Sequence, residues 1–159
     1  MKLSINNPVD GSNLAERSMD TEATIKDKIA RARKAQKSWQ DTSFSTRAAI
    51  VQSFAQKLEE NMEELAKTQT QETGKPITQA RNEVKGTVGR IDFFLKESAA
   101  RLEDRCVLDD TKSGMREEIR QEPLGVVCNI SAWNYPLFVG SNVFIPALLT
   151  GNAVVYKPS

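Results

Sequence analysis

The sequence predicts an α/β protein: N-terminal helices followed by a strand–helix–strand unit of a parallel sheet, with a short polar β-hairpin between them. Three observations lead there. Apolar residues between Thr21 and Leu102 recur at the helical spacing of three and four. All but one of the charged residues lie before Pro123, and Lys157 alone lies after it. Within that nearly uncharged end, the β-branched runs 124–130 and 153–156 flank a segment that opens on Pro136 and closes on Thr150 and Gly151. A chain of 159 residues can bury a core and amounts to one domain, or one domain and part of another.

The elements follow in order. Asn6-Asn7-Pro8 and Asp10-Gly11 are turn signals, so residues 3–19 are short strands or coil. Ile25, Ile29, Ala32, Ala35 and Trp39 share one helix face, with Asp20 or Thr21 available as the N-cap. A second helix starts near Ser45 and carries Ile50, Phe54, Leu58, Met62 and Leu65. Asn61 with Glu64 resembles a capping pair, where this helix bends or restarts. Gly74 then Pro76 punctuates the step to a third helix, about 76–102, with Pro76 at its first position. The charged faces of these helices read as solvated surface, with Glu63 and Lys67 an ordinary pair one turn apart. Residues 106–121 lose the helical period and read as two polar strands around Ser113-Gly114. The run 124–130 reads as a parallel strand buried on both faces, followed by a helix from Pro136 and a second buried strand, 153–156. Two strands do not make an independent parallel sheet, so the sheet is incomplete within these residues.

Composition excludes several chemistries. The chain has no His, which removes imidazole bases, Ser-His and Cys-His pairs and HExxH zinc sites. Cys106 and Cys128 form no CxxC pair, so neither a zinc ribbon nor a disulfide framework is expected, and no metal site. A reducing, cytoplasmic setting follows, and the N-terminus shows no apolar signal-peptide core. A net charge of +1 suggests no nucleic-acid partner. The uncharged stretch is broken by Pro136, Pro146, three glycines and four asparagines, so no membrane span is expected. Neither GxGxxG nor GxxxxGK[ST] occurs.

Two positions stand out chemically. Asn134 lies just past the first buried strand, where open α/β sheets bind ligands, and its amide suits a developing negative charge. The same residue equally suits the N-cap of the helix opened by Pro136. Lys157 is the lone cation at the end of the second strand. It either meets a phosphate, ribose hydroxyl or carboxylate, or marks where the strand emerges into water.

Three stretches resemble the aldehyde dehydrogenase superfamily, NAD(P)-dependent, and specifically its N-terminal part. They are Glu72-Thr-Gly-Lys-Pro76; Glu122-Pro-Leu-Gly125 running into Trp133-Asn-Tyr-Pro136; and Pro146-Ala-Leu-Leu-Thr-Gly-Asn152 running into Tyr156-Lys-Pro-Ser159. The resemblance implies oxidation of a small-molecule aldehyde to a carboxylic acid with NAD or NADP, through a cysteine thiohemiacetal and a glutamate-activated water. It implies Asn134 as oxyanion donor, and cofactor contacts from Ile130, Ser131, Ala132, Trp133, Lys157 and Ser159. It also implies a division into residues 1–105, strands and helices of the cofactor domain; 106–121, a hairpin of the oligomerisation domain; and 122–159, the start of the Rossmann-like NAD(P)-binding sheet. The complete enzyme is then a homo-oligomer, a dimer or tetramer. The family's nucleophile and base find no match in these 159 residues, so this stretch alone is expected to be inactive. Cys106 and Cys128 match neither and read as inert thiols. The other reading is a non-catalytic helical remnant that serves as an oligomerisation or binding partner.

Overall fold

The computed structural model describes residues 1–159. The chain runs β1 (Lys2–Asn6), β2 (Asn13–Ser18), α1 (Glu22–Gln40), α2 (Phe44–Glu60), α3 (Met62–Thr73), α4 (Ile77–Arg101), β3 (Arg105–Asp110), β4 (Met115–Ile119), β5 (Val126–Ile130), α5 (Pro136–Leu149) and β6 (Ala153–Lys157). This is the mixed α/β architecture read from the sequence. The strands pair two by two: β1 with β2 and β3 with β4 antiparallel, and β5 with β6 parallel, with α5 as the crossover. The core sits where α2, α4 and α5 meet. Val51, Ala55 and Leu58 pack there with Val84, Val88 and Ile91, and with Ile145 and Leu149.

Local chemistry sets the element ends. Thr21 caps α1 in a reciprocal box with Thr24, and Ser43 caps α2 through the Thr46 N–H. Gly74 ends α3 at φ 72°, in the left-handed region that glycine adopts without strain. Three expectations need correction here. Asn61 does not pair with Glu64; its Nδ2 turns back and donates to the Lys57 carbonyl at 2.8 Å, closing α2 instead of opening α3. Pro76 sits at the N-cap in extended backbone, one position before the first turn of α4. Glu63 pairs not with Lys67 but with Arg81 across the α3–α4 interface at 2.8 Å.

The strand read as 124–130 begins at Val126, because Gly125 takes φ 106° and leaves Leu124 outside the ladder, 91% exposed. Nor is β5 buried on both faces. Asn129 is buried and donates Nδ2 to the Gly140 carbonyl of α5 at 2.9 Å, whereas Cys128 and Ile130 are exposed. Side chains alternate along a strand, and α5 covers only one set. Helix α1 packs against both strands, and its Gln36 and Trp39 bond the Gly151 and Leu148 carbonyls that lead into β6. The ends beyond that contact stand open. No helix is long and apolar enough to cross a membrane.

Candidate functional site

Parallel pairing of β5 with β6 places Ile130 opposite Lys157. The Ser131 N–H continues the ladder to the Lys157 carbonyl at 3.1 Å. Residues far apart in sequence therefore meet at the carboxyl end of the strands: Ile130 and Ser131 lie beside Lys157, with Ala132 and Trp133 following in one chain segment and Ser159 in the other. Ser131 is buried and its hydroxyl donates to the Pro136 carbonyl at 3.3 Å. Ile130 and Trp133 are 73% and 71% exposed. The Lys157 ammonium is exposed and makes no ion pair. An open carboxyl-end edge with one unpaired cation suits a dinucleotide, whose ribose hydroxyls and phosphates all accept from an ammonium.

Asn134 lies in the exposed loop between β5 and α5. Its Oδ1 accepts the Tyr135 N–H at 3.1 Å, and its Nδ2 has no protein partner. It does not cap α5. That helix starts after Tyr135 with no local side-chain cap and no acidic residue in its first turn. The orphan N–H groups of Leu137 and Phe138 donate instead to Glu83 Oε1 of α4, at 2.9 and 3.1 Å. A buried carboxylate at a helix N-terminus also meets the positive end of the helix dipole. The other oxygen of Glu83 accepts from Gln69 Nε2 and pairs with Lys75 Nζ at 2.5 Å. Lys75 further donates to the Asn134 carbonyl at 2.7 Å and lies 4.0 Å from the centre of the Tyr135 ring. A cleft of about 260 Å³, lined by Gln79, Asn82, Glu83, Gly86, Tyr135 and Phe138, opens beside this loop.

Asn134 and Lys157 were recognisable from sequence; Lys75 and Glu83 were not recognised as a pair. The signal was a carboxylate among Ala80, Val84 and Val88, on the face that builds the core. No acid belongs there unless something meets it. Cys106 and Cys128 are both free and exposed, Cys106 in the β3–β4 hairpin and Cys128 in β5. No group of three metal-ligating side chains occurs.

Comparison with known proteins agrees with this architecture. The aldehyde dehydrogenase family model matches residues 1–159. An N-succinylglutamate 5-semialdehyde dehydrogenase of Legionella pneumophila is 33% identical over 154 residues, which are 96% of this chain and 30% of that protein. A 3,6-anhydro-alpha-L-galactose dehydrogenase of Streptomyces coelicolor is 32% identical over 99% of this chain and 31% of its own length. The NADP complex of an NADP-dependent glyceraldehyde-3-phosphate dehydrogenase from Bacillus halodurans superposes with a TM-score of 0.92 at 33% identity, covering 100% of this chain and 34% of that one. An NAD-dependent benzaldehyde dehydrogenase from Corynebacterium glutamicum does so at 0.93 and 31%, with 100% and 34% covered. The chain thus spans about 30% of the length of the curated relatives it matches. With the strand–loop–helix around Asn134, the Lys157 strand end and the whole-chain superposition in agreement, the chain belongs to the aldehyde dehydrogenase family.

Proposed function

We propose that residues 1–159 supply the oxyanion donor and part of the NAD(P) site of an enzyme that oxidises an aldehyde to a carboxylic acid. The observation that carries the reading is the free Asn134 amide: Oδ1 accepts the Tyr135 N–H, Glu83 rather than Asn134 meets the N–H groups of α5, and the Nδ2 hydrogens have no protein partner. In the thiohemiacetal that a cysteine thiolate forms with the aldehyde, negative charge develops on the former carbonyl oxygen. A neutral amide that donates to that oxygen stabilises the charge. NAD(P), when bound, would supply the hydride acceptor. Ile130, Ser131, Ala132, Trp133, Lys157 and Ser159 would hold it, with the Lys157 ammonium available as a donor to a ribose hydroxyl of the adenosine. The nucleophile and the glutamate base lie outside these residues. Residues 1–105 and 122–159 belong to the cofactor domain, and 106–121 to a hairpin through which the complete enzyme forms a homodimer or homotetramer. The setting is cytoplasmic.

Two measurements test this. Purified 1–159 forms no NAD(P)H at 340 nm with an aldehyde and NAD or NADP, because no thiolate partner for the oxyanion donor is present. In the polypeptide that joins this segment to its nucleophile, Asn134→Ala lowers kcat and kcat/KM together by ~10²–10³ and leaves cofactor affinity unchanged. Near-normal turnover of that variant refutes the donor role. Aldehyde turnover by 1–159 that survives replacement of Cys106 and Cys128 refutes the division of labour.

A further inference from the structure

We propose that the buried Lys75–Glu83 ion pair is a positioning device for the loop that carries Asn134, fixing its backbone from both sides. The Glu83 side chain is 0% exposed and that of Lys75 is 10% exposed. On the helix side, one carboxylate oxygen holds the Leu137 and Phe138 N–H groups. On the strand side, the ammonium holds the Asn134 carbonyl, 59 residues from Lys75 in sequence, and packs on the Tyr135 ring. Ser131, anchored to the Lys157 carbonyl, completes the frame. The loop backbone is thereby tied at residues 131, 134, 137 and 138, and the Asn134 torsions become the main freedom left to its amide.

A buried ion pair contributes little net stability, because desolvation offsets most of the attraction. Here it adds direction. The charges converge on one loop, and their hydrogen bonds end on backbone atoms that flank the donor. Lys75 is delivered by the α3–α4 connection immediately after the left-handed Gly74, so that turn is tied to the Asn134 loop. The functional weight of the device rests on the reading of Asn134 as oxyanion donor; the geometry does not.

The test uses 1–159 and two readouts: chymotryptic cleavage of the Trp133–Asn134 bond, followed by mass spectrometry, and amide exchange at Leu137 and Phe138. The main variant is Lys75→Met with Glu83→Gln, which removes both charges and keeps an acceptor for the two N–H groups. It is expected to melt cooperatively like the parent, retain protection at 137 and 138, and be cut after Trp133 at least about tenfold faster. Glu83→Ala removes the acceptor as well, and exchange at 137 and 138 is expected to rise about tenfold. Unchanged cleavage after Trp133 in the double variant overturns the proposal. So does a parallel rise after Phe54 and Phe94, or loss of the cooperative melt, since the pair is then a pillar of the core. Neither readout involves the Asn134 side-chain amide. Kinetic silence of Asn134→Ala removes the donor reading and leaves the device standing, and unchanged cleavage does the reverse.

Discussion

At Gly140 an added Cβ would lie 2.9 Å from Tyr156 Cζ and closer still to the phenol oxygen. The absence of a side chain there lets the Tyr156 ring lie across α5 beside Phe144, with ring centres 5.6 Å apart, and leaves the Gly140 carbonyl open to Asn129. Gly140→Ala is expected to cost about 1–3 kcal/mol by overpacking. Adding Tyr156→Ala should recover part of that loss, and a urea double-mutant cycle measures the coupling. Additive losses would show that the ring simply swings aside. The same scale separates what could be read residue by residue from what could not. Asn134 and Lys157 are polar groups at the ends of apolar runs, so pattern alone singles them out. Glu83 is a charge inside an apolar face, and its meaning depends on partners from α3, the α3–α4 turn and α5.

Helix α5 shows the same dependence at the scale of an element. Its sequence has no acid in the first turn and no base in the last, and no side chain of its N-cap residue bonds it. Other helices complete its N-terminus, and at its C-terminus they add to bonds from its own Thr150, Gly151 and Asn152. Glu83 of α4 meets the N-terminus, and three residues of α1 and α2 meet the C-terminus. Arg47 Nε donates to the Leu149 carbonyl at 3.0 Å and Trp39 Nε1 to the Leu148 carbonyl at 3.0 Å, while Gln36 reaches Gly151. Arg47 also bonds the Gln40 and Thr42 carbonyls, tying the end of α1 to the end of α5. Burial lowers its guanidinium affinity for protons, yet an arginine keeps its charge throughout the working range. Arg47→Met is expected to destabilise the chain by about 2–3 kcal/mol through unpaired buried carbonyls, equally at pH 6 and pH 8. Chemical denaturation at the two pH values checks both the size and the pH independence.

Across the whole molecule, the parallel pair β5–β6 has only two strands, and Leu124, Ile130 and Trp133 are exposed around it. Open strand edges beside apolar surface invite association. The 159-residue chain is therefore expected to self-associate or bind an apolar dye; light scattering that shows a monodisperse monomer with no dye binding contradicts this. Charge on the helical and hairpin surfaces acts in another direction. Asp20 is held below the usual carboxylate range by Lys28 and Thr24, Glu63 by Arg81, and Glu118 by Arg116 and Arg120. A carboxyl whose folded pKa is lowered stabilises the fold above its unfolded pKa, and this is lost as pH falls through the folded value. The melting temperature should decline on acidification below about pH 4, with a smaller decline in high salt because these pairs are exposed. A melting temperature that holds constant down to about pH 2 would remove these pairs from the account.

Periodicity, glycine and proline punctuation and the switch in charge at Pro123 are local properties, written in neighbouring residues. They were enough for the α/β class, for nearly every element, and for singling out Asn134 and Lys157 at the ends of the apolar runs. Boundaries slipped where a side chain or a backbone angle had a choice, as at Asn61, Pro76 and Gly125, and by one residue at the start of β3 and the end of β6. Tertiary structure decided the rest. The uncharged end of the chain draws the charges that complete its central helix from the charged end, Glu83 at one terminus and Arg47 at the other. Whether Asn134 caps α5 was open in the sequence, since asparagine suits that position. Burial of Glu83 decided it: a carboxylate without water must find donors, and it takes the first free N–H groups of α5 together with Gln69 and Lys75.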